Sequence, residues 1–587
     1  MNVRDFCYSN FGWLGKGLST ILPGFEKDLD SAYMKIHPEV YLSILGFVSL
    51  ISLFASILLG ILMLIGLIPS PPPLPPGGLL FSPMILVFPL LVLVLGVLYP
   101  KTSASNRVAG LKIEIPYASM YISTMTSGGL SPYESILRLR KMDLLPNMRD
   151  EVGRIDIIVK SQGVDPVTAM EQAAKVIDMK EYKQLLLGYA STVRTGGDTL
   201  HYLFNQTDSM FRTMSTRIKT LGENMGMLME AYTIIGILGV LGIFLIFVVG
   251  MALPGMGMGL SPAQFFLFSF VGLPMLSVVF IFFADASQIS YPVSNWKTYK
   301  VFALSLPITV LIGSQLVLPS FSDSFLVFPP IYNLLLRLRD LINLADGTEA
   351  ALGLAITLIM IALPGAIADM YYIGREGKIL DGINNFLRDL VETRKSGLSP
   401  ERCIHALAGR DYGAFSKYLE TISMKLHWGY PMRKIYAEFR MKIKNWLALV
   451  NIYLLIDTIE VGGGTEQSLE TLANFAESTK HLEDEKSAVL MPLTIVPYIG
   501  AALFTGTTVL FLSFFTNMSS LGVSIAKVTL YRVLLTPLGL HTWILGLVTG
   551  KIVSGRVSAG FKHSILLTIV SILGIWSVSN MGVGGGG

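Results

Sequence analysis

The residues to weigh first are those whose types could bind a phosphate, hold a metal or relay a proton. A phosphate cradle of the G-x-x-x-x-G-K-[ST] kind needs that spacing between a strand and a helix. Gly12 to Lys16 is too short for it, and Gly550–Lys551 is followed by Ile552. The Gly462–Gly464 run lies between two helical stretches with no strand before it, so it reads as a helix cap. Any ATP that drives this protein is therefore expected on another chain. The 7 histidines are scattered, without H-E-x-x-H or paired metal ligands. His481, Glu483, Asp484 and Glu485 lie close together in the pattern of a solvated helix face. Cys7 and Cys403 give neither a disulfide framework nor a metal pair. No catalytic residue, metal or cofactor is expected.

Solute transport would need polar groups at mid-membrane. Glu230, Asp285 and Asp369 fall at the ends of hydrophobic blocks, where carboxylates stay hydrated. Arg532 and His541 lie deeper; the first can snorkel outward and the second can bond a neighbouring helix. A transporter or channel remains the alternative function.

The elements that position these residues follow from composition. With 52% hydrophobic and 15% charged residues in 587, the chain is far more apolar than a soluble protein. The apolar residues form blocks of membrane-crossing length at Leu42–Ile68, Leu79–Leu98, Tyr232–Leu253, Phe265–Phe283, Val301–Leu318, Ala350–Met370, Val489–Phe515, Leu530–Val548 and Ser564–Asn580. The fold class expected is all-α, a polytopic membrane protein of about nine spans with two repeated cytoplasmic antiparallel helical bundles. Arg532, Pro537 and His541 interrupt the eighth span. Residues 1–41 are polar and precede a full-length span, so no cleavable signal peptide is expected.

Lys and Arg in the loops set the orientation. Pro69–Gly78 and Pro254–Gln264 carry no charge, whereas Thr549–His563 holds Lys551, Arg556 and Lys562 without an acid. This places 1–41 in the cytoplasm, a transmembrane hairpin over 42–99, a cytoplasmic domain over 100–230 and spans three to five over 231–318. An external amphipathic segment over 319–349 follows, then span six over 350–371, a second cytoplasmic domain over 372–488, spans seven to nine over 489–580 and an external Gly-rich tail over 581–587. Arg337 and Arg339 in 319–349 run against the rule, as does a lone Lys527. The Asn517-Met518-Ser519 sequon falls outside and is compatible with glycosylation. The net charge of +4 is small for this length and gives no reason to expect nucleic-acid binding.

The two long polar segments repeat one another. The first reads S-G-G-L-S-P (Ser127–Pro132), G-V-D-P (Gly163–Pro166) and R-T-G-G-D-T (Arg194–Thr199). The second reads S-G-L-S-P (Ser396–Pro400), G-Y-P (Gly429–Pro431) and E-V-G-G-G-T (Glu460–Thr465), at offsets of 268, 265 and 266. Gly129, Gly196, Gly197, Gly397, Gly462 and Gly463 suit left-handed helix ends. Ser131 and Ser399 can cap the next helix with Pro132 and Pro400 at its first position. Each segment reads as five or six short helices, the last of which (Asp198–Met227, Glu466–Leu490) runs into a membrane span.

These marks, followed by a long helix entering the membrane, resemble the F domain of type II secretion and type IV pilus machines. Two such domains with extra spans are similar to the archaeal assembly-platform proteins for pili and the archaellum, over roughly Leu111–Val249 and Ile379–Phe515. The G-Y-P mark departs from G-V-D-P by lacking the capping acid. The resemblance implies a non-enzymatic platform without cofactors. Its implied partners are a hexameric secretion ATPase, pilin- or archaellin-like subunits, membrane lipids and a second copy of itself.

Two basic clusters are candidates for ATPase contact: Arg138, Arg140 and Lys141, and then Arg433, Lys434, Arg440, Lys442 and Lys444, which the sequence opposes only with Glu438. Either they steer an acidic partner surface, or they are solvated and attracted to anionic headgroups at about 1 kcal/mol per residue. Small residues in Gly236–Gly242 and Gly500–Gly506 permit close helix approach, to pilin helices or to the protein's own spans.

Overall fold

A computed structural model describes residues 3–22, 24–34, 36–64, 82–252, 262–293, 295–462, 464–518 and 527–583. The uncharged loop Pro69–Gly78, most of Pro254–Gln264, Gly463, Ser519 of the sequon and the last four glycines lie outside them. Among the described residues there is no strand. The chain divides into two compact units, Met1–Met210 and Phe211–Gly587.

The first unit begins with α1 (Val3–Ile21), α2 (Phe25–Ser31) and α3 (Pro38–Leu64). Phe25, Leu29 and Leu42 bury one another in a small core. The long α4 (Ser82–Ser127) then enters a bundle with α5 (Pro132–Arg138), α6 (Pro146–Gln162), α7 (Pro166–Val176) and α8 (Lys180–Arg194). The first residues of α9 (Thr199–Ala252) close it. Tyr117, Tyr121, Leu139, Ile155, Met170, Tyr182 and Leu185 form its buried interior. Where α4 meets α9 the contact is polar: Ser119 and Ser123 share hydrogen bonds with Thr207 at 2.6 and 3.0 Å.

The second unit takes up α9 at Phe211. It continues through α10 (Pro262–Leu267), a π turn (Phe268–Gly272), α11 (Leu273–Ser287), α12 (Lys297–Val317) and α13 (Pro329–Leu341). Its bundle contains α14 (Glu349–Arg394), α15 (Pro400–Leu407), α16 (Ser416–His427), α17 (Met432–Lys442), α18 (Trp446–Gly462) and α19 (Glu466–Leu490). The order of helices is that of α4 to α9. Phe386, Phe415, Leu419, Phe439 and Leu472 fill it. Gly382 is required where α14 passes the turn before α16, since a Cβ there would lie 2.2 Å from the Tyr412 carbonyl. The unit ends with α20 (Ile495–Met518), α21 (Lys527–Ser554) and α22 (Gly560–Val583).

Among the described residues, 7 helices are long and apolar enough to cross a membrane, within Thr199–Phe247, Gln264–Ser287, Lys297–Ser320, Glu349–Arg394, Glu466–Ser513, Val528–Ser554 and Val557–Asn580. They correspond to the last seven of the nine expected spans; the first two run into residues outside the described set. Arg532, Pro537 and His541 do not break the eighth, which is one helix. The reason is its position: 83% of its apolar stretch is buried, against 22–56% for the other six. A helix surrounded by helices need not be uniformly apolar. His541 packs edge-on against Phe504 at 4.8 Å.

The continuation of the bundles into the membrane differs between the repeats. α9 runs unbroken for 54 residues. α19 stops at Leu490, and a 3-10 turn (Met491–Thr494) containing Pro492 intervenes before α20. Proline lacks the amide donor that an uninterrupted helix would need there.

Candidate interaction surfaces on the two bundles

The repeated marks form the turns that set each bundle's outline. Gly129 (φ +97°) ends the α4 side, and Ser131 Oγ accepts the Glu134 amide at 3.2 Å, with Pro132 leading α5. Gly163 (φ +64°) precedes Asp165, which accepts the Thr168 amide at 3.0 Å. Gly196 (φ +70°) and Gly197 precede Asp198, which accepts the His201 amide at 3.0 Å. In the second bundle Gly397 (φ +84°) precedes Ser399, whose Oγ accepts the Arg402 amide at 3.4 Å with Pro400 next. The G-Y-P mark carries no side-chain cap: Pro431 itself is the cap residue of α17. The final turn corrects the place of Gly462, which still belongs to α18; Gly463 is outside the described residues, and Gly464 is left-handed (φ +60°). Helix α18 extends as far as its buried face, and Thr465 then caps α19 through the Ser468 amide at 3.2 Å.

The residues of the two basic clusters are engaged to different degrees. Arg140 is held by buried Asp156, which also accepts Lys160 at 3.0 Å. Arg433 reaches back to Asp457 at 2.8 Å and Glu460 at 2.6 Å, so Glu438 is not the only acid that α17 meets. Glu438 is instead paired with Lys425. Arg138 and Arg440 are also engaged. Among the described residues, no side-chain hydrogen bond or ion pair engages exposed Lys141 or Lys434.

The second cluster is further divided by geometry. Arg433 and Lys434 start α17, while Lys442 ends it and Lys444 follows, donating to the Arg440 carbonyl at 3.4 Å. At about 1.5 Å per residue, ten residues separate Lys434 from Lys444 by roughly 15 Å. Asn445, next to Lys444, donates to the Glu376 carbonyl at 3.4 Å, and Trp446 stacks on Tyr291 at 4.8 Å, both near the apolar stretches. The start of α17 bonds instead to the far end of α18.

Charged groups that the sequence reading overlooked hold the first bundle together. Glu151 is fully buried between Arg107, with which it pairs, and Tyr182, whose hydroxyl donates to it at 3.2 Å. Burial pushes its carboxyl up despite Arg107 and Arg154. Arg107 donates to the Ser31 carbonyl at 3.2 Å and lies 4.6 Å from the Tyr33 ring, and Arg154 donates to the Asp30 carbonyl at 2.9 Å. The N-terminal helices are thereby fastened to α4 and α6.

Glu114, also fully buried, crosses from α4 to cap α6, accepting the Met148 amide at 2.8 Å and the Asn147 side chain at 2.6 Å. Burial pushes its carboxyl up to about 7 against those hydrogen bonds. A sequence signal existed: Leu111, Glu114, Ile115, Ala118 and Met148, Glu151, Val152, Ile155 each place a carboxylate inside an i, i+3, i+4, i+7 apolar stripe.

The remaining candidates resolve into structural contacts. Glu483 accepts the Tyr291 hydroxyl at 2.5 Å, Asp484 faces Lys480 at 3.7 Å and Glu485 pairs with Lys219 at 3.3 Å. Among the described residues no group of three potential ligands could hold a metal. Asp285 pairs with Lys551, and Asp369 accepts Ser558 Oγ at 2.7 Å. Arg339 is paired with Glu349 at 2.6 Å and Asp346 at 2.7 Å. A Cβ on Gly500 would meet Thr233 at 2.8 Å, so that glycine serves packing of α20 on α9, whereas Gly239, Gly242 and Gly506 have nothing within 4 Å.

The fold and these surfaces define a multi-pass helical membrane protein with a duplicated helical bundle. Both bundles match the Type II secretion system (T2SS), protein F family, over residues 118–247 and 386–513, so the chain carries two copies of that domain. Protein F domains are non-enzymatic platform domains that associate with secretion ATPases and pilins. An uncharacterized protein of Methanocaldococcus jannaschii is 20% identical over 496 residues, covering 82% of each chain. No solved structure matches the chain.

Proposed function

We propose that this protein is the membrane platform of a type IV filament machine of the archaeal pilus or archaellum kind, or of a related type II secretion machine. In this reading a hexameric cytoplasmic secretion ATPase acts on the bundles. The platform, working as a homodimer, converts that action into movement of pilin-like subunits from the membrane into a filament. The N-terminus and both bundles then face the cytoplasm, and the C-terminus lies outside.

The observation that carries the reading is the direct continuation of each F domain into the membrane. α14 enters its bundle from an apolar stretch as one 46-residue helix, and α9 leaves its bundle as one 54-residue helix. A displacement of either bundle passes along an unbroken helix into the bilayer. Lys141 and Lys434, exposed and without ion-pair partners among the described residues, are the cluster members most available to an acidic ATPase surface. Lys442 and Lys444, near the apolar stretches, suit anionic headgroups.

The test is a pull-down of detergent-solubilised protein against the secretion ATPase of the same organism, with each bundle deleted in turn. Binding that disappears with a bundle and stimulates ATP hydrolysis supports the platform role. Absence of binding in every nucleotide state refutes it and favours transport.

A further inference from the structure

Residues 1–41 are polar by composition, yet their first helix, α1, is set against the start of a membrane-length helix. From Val40 to Leu64, α3 carries no charge, which is roughly 37 Å of helix and enough to cross a hydrocarbon layer of about 30 Å. Helix α4 marks the same edge from the other direction: it is uncharged from Ser82 to Pro100, and Lys101 follows. Where α3 and α4 meet, the Tyr41 hydroxyl donates to the Gly96 carbonyl at 2.8 Å, and a Cβ on Gly96 would lie 2.0 Å from Leu45. Glu39 and Lys101 both lie within two helical turns of that contact, so the edge of the apolar layer falls there.

Helix α1 crosses this edge. A Cβ on Gly15 would lie 2.4 Å from the Glu39 carbonyl, and one on Gly46 would lie 3.2 Å from Leu14. The Phe11 ring packs on Phe47 at 4.9 Å, and the Phe6 ring meets the same residue edge-on at 6.0 Å. Phe11 leaves helical geometry (φ −122°, ψ 15°), so α1 bends beside Phe47. That point is eight residues, or roughly 12 Å, past Glu39. The Tyr8 hydroxyl returns to the edge, donating to the Glu39 carboxylate at 3.2 Å. The helix dips into the apolar layer and comes back without crossing it.

The side of α1 turned away from α3 is apolar where it is deepest. Trp13, two residues past the bend, is 69% exposed, and Phe6 is exposed on the other side of the bend. At the same height begins the exposed row of α3, with Val48, Ile51 and Phe54, a surface that lipid must cover. Tyr99 is exposed on α4 near the charged edge. The exposed face of α1 is thus continuous with the lipid-facing surface of the spans beside it. Tryptophan and tyrosine favour this layer because one end of each ring system is apolar and the other bonds to water. The charges of α1 are Arg4, Asp5 and Lys16, of mixed sign, so charge selects no particular headgroup.

We infer that α1 is an interfacial helix, lying in the boundary between headgroups and acyl chains with Trp13 as its anchor in lipid and Tyr8 and Lys16 toward water. Its partner is the bilayer surface itself. The segment that follows is fastened to the first bundle, since Arg107 on α4 donates to the Ser31 carbonyl and Arg154 on α6 to the Asp30 carbonyl. An embedded α1 therefore ties the first bundle to the membrane surface at a point separate from α4. The inference does not depend on the platform reading.

The experiment uses the full chain in phosphatidylcholine–phosphatidylglycerol nanodiscs, with a nitroxide attached through Trp13→Cys or Lys16→Cys; Cys7 and Cys403 are both buried. Collision with oxygen, which concentrates among acyl chains, is compared with collision with a water-soluble nickel chelate. The oxygen-to-nickel ratio at position 13 should exceed that at position 16 several-fold. A label at position 13 that meets mainly nickel would place α1 in water, and one screened from both probes would place it against a second copy or another chain. Either result overturns the inference. Trp13→Phe gives a second reading without a label, because the fluorescence it loses relative to wild type belongs to Trp13 alone. Lipid brominated near the glycerol end of its chains should quench that fluorescence more than lipid brominated at the chain terminus. Quenching by neither, or mainly from the chain terminus, overturns the inference as well. None of these outcomes alters the platform reading, which the ATPase pull-down tests.

Discussion

Substituting Glu114 by glutamine tests whether a buried carboxylate, hydrogen-bonded but without an ion-pair partner among the described residues, governs the pH response of the first bundle. Glu114 has no exposed surface and takes two hydrogen bonds at the start of α6, and its carboxyl is pushed from 4.5 up to about 7 by burial. A folded-state value above the unfolded one means that the folded bundle holds the proton more tightly. The stability this group contributes is therefore fully present below pH 4.5 and is lost as pH rises through about 7. At 1.36 kcal/mol per pH unit, the change across that window is about 3 kcal/mol.

Glu114→Gln keeps an oxygen for the Met148 amide, and its amide nitrogen can face the Asn147 side chain after that group turns over. The ionisation is removed. The assay is hydrogen exchange of the α6 amides in the full chain, wild type and variant compared at the same pH so that intrinsic exchange cancels. Near pH 5 the two should be protected alike. Above pH 7.5 the variant should be more protected, by up to about a hundredfold for a difference near 3 kcal/mol. A protection ratio that stays constant from pH 5 to pH 8 would refute the reasoning, because the carboxyl would then titrate no differently in the folded bundle.

Arg107→Ala removes one partner of a buried pair and should destabilise the first bundle by about 3–5 kcal/mol. It also frees the carbonyl of Ser31, so limited proteolysis should cut the first 34 residues off faster than in wild type. Gly464→Ala places a Cβ 2.6 Å from Pro400 at a backbone φ of +60°, and it should lower the thermal stability of the second bundle by about 1–2 kcal/mol or more. Gly374→Ala, a helical glycine with nothing within 4 Å, should raise it by about 0.5–1 kcal/mol in the same melting experiment. For the orientation, cysteines at Lys141 and Lys434 should react with an impermeant maleimide only after cells are opened, and one at Arg337 in intact cells. Labelling of Lys434→Cys in intact cells would reverse the topology.

The sequence by itself determined the helical class, the placement of the seven described spans and the existence of the repeat, because each depends on local rules. Block hydrophobicity reads membrane spans, and Ser131-Pro132, Asp165-Pro166 and Ser399-Pro400 are caps that work through bonds to amides three residues on. The position of the last glycine turn was not local. How far α18 runs before the turn depends on how far it stays packed on its neighbours; Gly462 is still helical and Gly464 is left-handed.

Tertiary structure alone decided which charges are free. Arg433 and Asp457 are 24 residues apart, and Arg107 and Glu151 are 44 apart, so no periodicity links them. Arg433 to Lys444 count as one cluster in sequence because they are near neighbours along the chain. A helix carries its two ends to opposite ends of a bundle, and only there do their partners become different.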